Sequence, residues 1–216
     1  MIASVILVAA GSSKRMGGGV NKPYLDLDGR PVIFYSLSVF SEIPEIKEII
    51  AVIREQDRSA CEKIVKKYNF KKVRIEIGGK ERQDSVFNGI KKLRKDCSIV
   101  LIHDSARPFI TKKLILKLIE EAGKHKAVIP VVPAKDTVKR SDNGITISNT
   151  LDRKILYLAQ TPQVFSVKII KEAYEEAHKA GFRGTDDSMM VERLGKLVRM
   201  TPGDEKNVKI TMLTDL

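Results

Sequence analysis

Apolar residues along the chain fall into two alternating patterns. Short unbroken runs occur at Ile2–Val8, at Ile49-Ile50-Ala51-Val52-Ile53 and at Ile99-Val100-Leu101-Ile102, with Val73-Arg74-Ile75-Glu76-Ile77 and Val128-Ile129-Pro130-Val131-Val132 alongside them. Runs of this length read as strands, and unbroken ones as strands buried on both faces. Between them the spacing becomes helical. Cys61, Ile64, Val65 and Tyr68 share one face, as do Val86, Ile90 and Leu93, and so do Leu114, Ile115, Leu118, Ile119 and Ala122 behind a Thr111 cap. Two later helices fit 168–180 and 186–194. Alternating strands and helices predict an α/β fold: a doubly wound, mainly parallel, Rossmann-like sheet with right-handed crossovers.

One segment departs from the alternation. Residues 136–142, then Asn143-Gly144, then residues 145–150 read as a polar β-hairpin, with Asn-Gly suited to a type I′ turn. A two-stranded ribbon is marginal alone and must pack on something. The hairpin either folds back on its own domain or projects as an arm, at about 134–156, onto a second copy of the chain. The arm is the preferred reading, and a homodimer with it. Otherwise the 216 residues read as a single domain, 1–216, large enough for a sizeable core.

Charge changes the picture next. With 39 Lys and Arg against 27 Asp and Glu, the net charge is +12. That admits a nucleic-acid partner, an anionic small substrate, or a solvated Lys-rich surface. The cations are dispersed and mixed with Glu, as at Glu62, Lys63, Lys66 and Lys67, and Trp is absent. An anionic substrate with a solvated surface is therefore preferred over nucleic acid. Cys61 and Cys97 form no C-x-x-C pair, which suits buried thiols in a reducing cytoplasm. The first apolar run is too short to span a bilayer, so no membrane association is expected.

The chemistry begins where that first run ends. Ala9-Ala10-Gly11-Ser12-Ser13-Lys14-Arg15-Met16-Gly17 follows it, and Lys22 comes one short step later. Small residues let backbone N–H groups approach a phosphate, and Arg15 and Lys22 are spaced to neutralise it. Ligands of open α/β sheets bind at this end of the strands. The loop is neither G-x-G-x-x-G nor a P-loop. A second constellation is Gly78-Gly79-Lys80-Glu81-Arg82-Gln83-Asp84-Ser85-Val86, where glycines precede a helix and Asp84 or Ser85 also suits a cap. A third is His103-Asp104-Ser105-Ala106-Arg107-Pro108. There Asp104 is placed either to meet a metal beside phosphate oxygens or to pair with Arg107, and His103 reads as a packed strand residue.

The loop A-A-G-x-x-x-R-M-G followed by N-K-P-Y resembles the signature of nucleotidyltransferases that activate sugar and polyol phosphates. The string G-G-x-x-R-x-x-S-V is similar to their cytosine-reading motif. With Leu151-Asp152-Arg153, Thr185-Asp186-Asp187 and Asn207-Val208-Lys209-Ile210-Thr211, nearly the whole chain resembles the 2-C-methyl-D-erythritol 4-phosphate cytidylyltransferase family of the non-mevalonate isoprenoid pathway. The resemblance implies transfer of CMP from CTP to methylerythritol phosphate, with release of pyrophosphate. Ribitol 5-phosphate is the alternative acceptor. It implies nucleotide contacts from Ala9, Ala10, Gly11, Gly79, Ser85, Asp104, Ser105, Arg107 and Thr185, and Mg²⁺ on Asp104. It implies Arg15 and Lys22 at the α-phosphate, and Arg153 and Lys209 on the polyol phosphate; because Arg153 follows the arm, it serves either its own site or the partner's. Two departures stand out. Ser105 replaces the family's usual Ala, and Pro23 stands where Gln is common.

Overall fold

The computed structural model describes residues 1–11 and 21–215. The main sheet uses β1 (Ala3–Val8), β4 (Ile46–Ile53), β5 (Val73–Ile77), β6 (Ile99–Asp104), β7 (Ala127–Pro133), β10 (Tyr157–Ala159), β11 (Gln163–Ser166) and β12 (Arg199–Pro202). Between β1 and β4 lie two short paired strands, β2 (Asp26–Leu27) and β3 (Arg30–Pro31), and helix α1 (Val32–Ser41). The remaining helices are α2 (Arg58–Lys67), α3 (Arg82–Lys91), α4 (Lys112–His125), α5 (Val167–Lys179) and α6 (Ser188–Arg193).

Along the sheet the order is β10-β7-β11-β6-β1-β4-β5, with β12 also paired to β7. The pairs β1–β4, β1–β6, β4–β5 and β7–β12 are parallel, whereas β10 and β11 run antiparallel to their neighbours. Helices cover both faces. On β1, Val5 and Leu7 join one core with Leu37 of α1, Cys61 of α2 and Leu118 of α4, while Ile6 joins the other with Val86 of α3 and Tyr174 of α5. This is the doubly wound, mainly parallel α/β arrangement expected.

Several elements escaped the pattern. Helix α1 is apolar nearly all round, because six of its ten residues are buried, so no helical stripe marks it. Strand β10 is apolar, Tyr157-Leu158-Ala159, yet exposed throughout, and β12 buries only Thr201, so neither follows the rule that ties an apolar run to a buried strand. The hairpin also differs in detail. Its ladder is two pairs long, Lys139 with Thr150 and Arg140 with Asn149. Gly144 adopts φ 72°, but Asn143 does not take positive φ, so the turn is not type I′. Instead the Asn143 side-chain oxygen accepts from the amides of Ile145 and Thr146, both at 2.9 Å, which is a side-chain-directed loop. Both strands of the hairpin, β8 (Lys139–Arg140) and β9 (Asn149–Thr150), are exposed.

Register aligns the carboxyl ends of the parallel strands at one edge. Val8 lies between Val52 and Asp104, and Ile53 is opposite Ile77. The loops after β1, β5 and β6 therefore open side by side. The antiparallel β11 begins at the same edge, with Gln163 opposite Ile102.

Candidate active site

The three loops enclose a cleft of about 460 Å³. Ala9, Ala10 and Gly11 supply one wall, Lys80, Arg82 and Ser85 a second, and Asp104 and Ser105 a third, with Lys22 and Lys209 closing the rim. Of the expected site residues, Arg15 lies outside the described residues. The others named here converge in the cleft although they come from distant parts of the chain.

Two glycines make the cleft possible. A Cβ on Gly78 would lie 2.5 Å from Ala10 Cβ and 2.7 Å from Ser85 Oγ, and one on Gly79 would lie 2.4 Å from Asp84 Cβ. The loop after β1 and the start of α3 can thus meet only across hydrogen atoms. The Gly79 amide donates to Ser85 Oγ (3.1 Å), and that hydroxyl donates to Glu81 O (3.0 Å). The helix cap itself is Glu81, not Asp84 or Ser85. Asp84 instead completes a capping box by accepting from the Glu81 amide. Gly78→Ala will cost roughly 1–3 kcal/mol of stability through overpacking. It will also raise the Michaelis constant for the nucleotide more than that for the acceptor, as steady-state kinetics on both substrates will show.

Asp104 ends β6 and carries two cations. Arg82 Nε donates to Oδ1 at 3.0 Å and Lys209 Nζ to Oδ2 at 2.6 Å. Burial alone would raise this carboxyl, but Arg82 and Lys209 outweigh it and hold it well below the usual carboxylate range. Arg107 is not its partner. The Arg107 guanidinium instead donates to Asn207 O at 2.6 Å, away from the cleft lining. Ser105 donates its hydroxyl to Val8 O at 2.8 Å, so the extra oxygen ties β6 to β1. Pro23 is buried beneath Lys22 in a single 3₁₀ turn.

Behind Asp104, His103 is fully buried. Its Nε2 meets the carbonyl of Arg107 at 3.2 Å, which can only accept, so Nε2 carries the proton. Nδ1 then accepts from the Thr161 hydroxyl at 3.0 Å, and that same oxygen accepts from the Asp104 amide at 3.1 Å. Burial pushes the imidazole down to about 4, so it stays neutral. The expected role of His103 as a hydrogen-bonded strand residue therefore holds. Between pH 6.5 and 4 the unfolded chain binds this proton and the folded one does not. Stability will rise with pH across that window, by roughly 3 kcal/mol in all. His103→Gln will flatten the pH dependence of the urea midpoint there.

The rim residues are positioned by the last segment of the chain. Asn207 is fully buried and donates to Thr161 O at 2.8 Å, while Ile210 N donates to Ala106 O at 2.8 Å. These bonds carry Lys209 to Asp104 across 105 residues of sequence. Lys22 Nζ donates to Thr211 O at 2.6 Å. Asn21, also buried, donates to Ala9 O at 3.3 Å and to Asp57 at 2.6 Å, which anchors the turn that presents Lys22.

Besides Arg107, two further expected residues stand outside the cleft lining in this chain. Thr185 is exposed and lies outside the cleft lining. Arg153 follows the hairpin and donates to Lys135 O at 2.6 Å, also away from the cleft. Conversely, sequence reasoning passed over Arg82, Asp187 and Thr161. Arg82 and Asp187 lie within strings singled out for other reasons, but the contacts that matter for all three span long separations that no spacing reveals.

Residues 3–216 match the sequence model of 2-C-methyl-D-erythritol 4-phosphate cytidylyltransferase. The chain belongs to that family. Proteins of the same name from Clostridioides difficile and Caldanaerobacter subterraneus are each 47% identical, over 99% and 100% of this chain and 90% and 96% of theirs. The crystal structure of 4-diphosphocytidyl-2C-methyl-D-erythritol synthase from Anaerococcus prevotii superposes with a TM-score of 0.88 at 38% identity, covering 99% of this chain and 92% of that one. The cytidylyltransferase fold thus extends over the whole described chain. None of its described helices is long and apolar enough to cross a membrane.

Proposed function

We propose that this cleft transfers CMP from CTP to 2-C-methyl-D-erythritol 4-phosphate, giving 4-diphosphocytidyl-2-C-methyl-D-erythritol and pyrophosphate. The observation that carries the site reading is the meeting of Lys22, Lys80, Arg82 and Lys209 in one cleft at the carboxyl ends of β1 and β6, the last two on Asp104. A cleft this cationic suits two polyanions.

The nucleophile is a phosphate oxygen of the acceptor, already anionic at neutral pH. It attacks the α-phosphorus of CTP in line with the departing pyrophosphate, so the protein need supply no base. Neutral, enclosed His103 agrees with this. The task of the chain is positioning and charge neutralisation. Lys22, with Arg15, neutralises the α-phosphate as charge shifts onto the leaving group. Backbone at Ala9, Ala10 and Gly11 lies against the phosphates. The Ser85 hydroxyl spends its hydrogen on Glu81 O and keeps a lone pair, which suits the exocyclic amine of cytosine. Ser105, and Arg107 and Thr185 through their loops, complete the nucleotide side. Lys209, and Arg153 from a second subunit, hold the acceptor phosphate. That assignment needs the exposed hairpin, about 134–156, to act as the arm of a homodimer on an otherwise single-domain chain. Exposed Ile145, Ile147 and Ile155 give such an arm apolar surface to bury.

The residues present also fit Mg²⁺. No group of three or more His, Cys, Asp or Glu that could hold a metal occurs among the described residues. Mg²⁺, however, commonly takes one or two carboxylates and completes its shell with phosphate oxygens and water. Asp104 is held ionised at the cleft wall and meets that requirement. When bound, the ion would neutralise phosphate oxygens. Two free buried thiols, Cys61 and Cys97, agree with a cytoplasmic setting.

Pyrophosphate release from CTP in the presence of each polyol phosphate tests the reading. Turnover with methylerythritol phosphate at least tenfold above that with ribitol 5-phosphate is expected. Release with neither, from folded protein, would overturn it.

A further inference from the structure

Asp104 is gripped by two cations held in different ways. Arg82 uses both terminal nitrogens on Asp187, with Nη1 to Oδ1 at 3.0 Å and Nη2 to Oδ2 at 2.8 Å. Asp187 has no exposed surface and is itself pinned. The Tyr174 hydroxyl donates to its Oδ1 at 2.5 Å, and its amide donates to Gln163 Oε1 at 3.1 Å. A guanidinium is planar, so fixing two of its nitrogens fixes the direction of the third. That third nitrogen, Nε, points at Asp104 Oδ1. Burial opposes the charge on Arg82, but Asp187 and Asp104 outweigh it, so the fork stays cationic. Lys209 is the opposite case. It makes a single bond to Asp104 through an ammonium on a rotatable stem, and its backbone belongs to no helix or strand.

We propose that Arg82 is the positioning residue of this site. It holds Asp104 Oδ1 in a fixed orientation and leaves Oδ2 as the oxygen that exchanges Lys209 for an incoming cation. Lys209 is thereby freed for the acceptor phosphate. The proposal rests on the site reading above and deepens it: the rigid Asp187–Arg82 fork is what keeps a lone carboxylate usable as a metal ligand.

The test is equilibrium binding of Mn²⁺, standing in for Mg²⁺, followed by its electron paramagnetic resonance signal with CTP present and no acceptor. Arg82→Lys keeps a charge beside Asp187, but an ammonium cannot bind Asp187 at two points and still reach Asp104. This variant is expected to fold and, once its own CTP affinity measured in EDTA is allowed for, to bind Mn²⁺ roughly tenfold to a hundredfold more weakly, as for other groups that orient metal ligands. Tyr174→Phe removes one bond to Asp187 without touching the fork. It should lower the melting temperature and leave Mn²⁺ binding unchanged. If Arg82→Lys binds Mn²⁺ like the parent and only melts earlier, Arg82 is a structural ion-pair member and the proposal falls. Should Arg82→Lys not fold, Asp187→Asn provides the same readout: several-fold weaker Mn²⁺ binding supports the proposal, and unchanged binding overturns it. Parent protein that fails to bind Mn²⁺ with CTP would instead remove the metal assignment itself, which separates that failure from failure of the Arg82 role.

Discussion

Lys22→Ala will lower kcat by about a hundredfold to a thousandfold while the protein stays folded, in line with the loss of one preorganised charge-stabilising donor. The reason lies in where the ammonium sits. Lys22 is held in a single 3₁₀ turn, half-buried at the cleft rim, and its Nζ reaches Thr211 O at 2.6 Å. A backbone carbonyl is a modest partner for a full charge. A triphosphate is a far better one, so the ammonium gains most when charge moves onto the leaving pyrophosphate. An interaction that strengthens in the transition state appears in kcat rather than in the Michaelis constant. The core loses nothing, because the turn is anchored by buried Asn21 and Pro23 and not by the lysine. Steady-state kinetics with circular dichroism checks both halves. A folded variant with parental kcat would remove Lys22 from the mechanism.

Lys209→Ala will act mainly on the acceptor. Its Michaelis constant for methylerythritol phosphate will rise about tenfold to a hundredfold, the scale of one hydrogen bond to a charged group. The constant for CTP will change much less. Asp104 loses its Oδ2 partner in this variant but keeps Arg82 on Oδ1, so the carboxylate stays ionised and in place. Ile210 and Asn207 still dock the segment against Ala106 and Thr161. Equal increases for both substrates would show that Lys209 serves the site as a whole and not the acceptor phosphate.

Much of this was readable from the residues. The strands β1, β4, β5, β6 and β7 and the helices α2 to α6 are marked by period and by turn residues, since each buries one stripe or two faces. Helix α1 and strand β12 are not, because one is apolar all round and the other almost wholly exposed. The site divides in the same way. Gly78, Gly79, Ser85 and Asp104 stand in compact strings whose local chemistry is visible. Arg82 stands in the same string, yet its role depends on Asp187, 105 positions away, and on the fold that buries that carboxylate. Asn143-Gly144 shows the limit of turn rules. The dipeptide suits type I′, but the asparagine side chain caps the following amides and selects a longer loop.

The central claim is that cations from separate segments gather around the phosphates of one nucleotide. A crystal structure with CTP bound tests it most directly. The account predicts the cytosine against Gly79 and Ser85 and the α-phosphate within hydrogen-bond reach of Lys22, whose ammonium has left Thr211 O. A triphosphate seated elsewhere, with Lys22 still on that carbonyl, would contradict it.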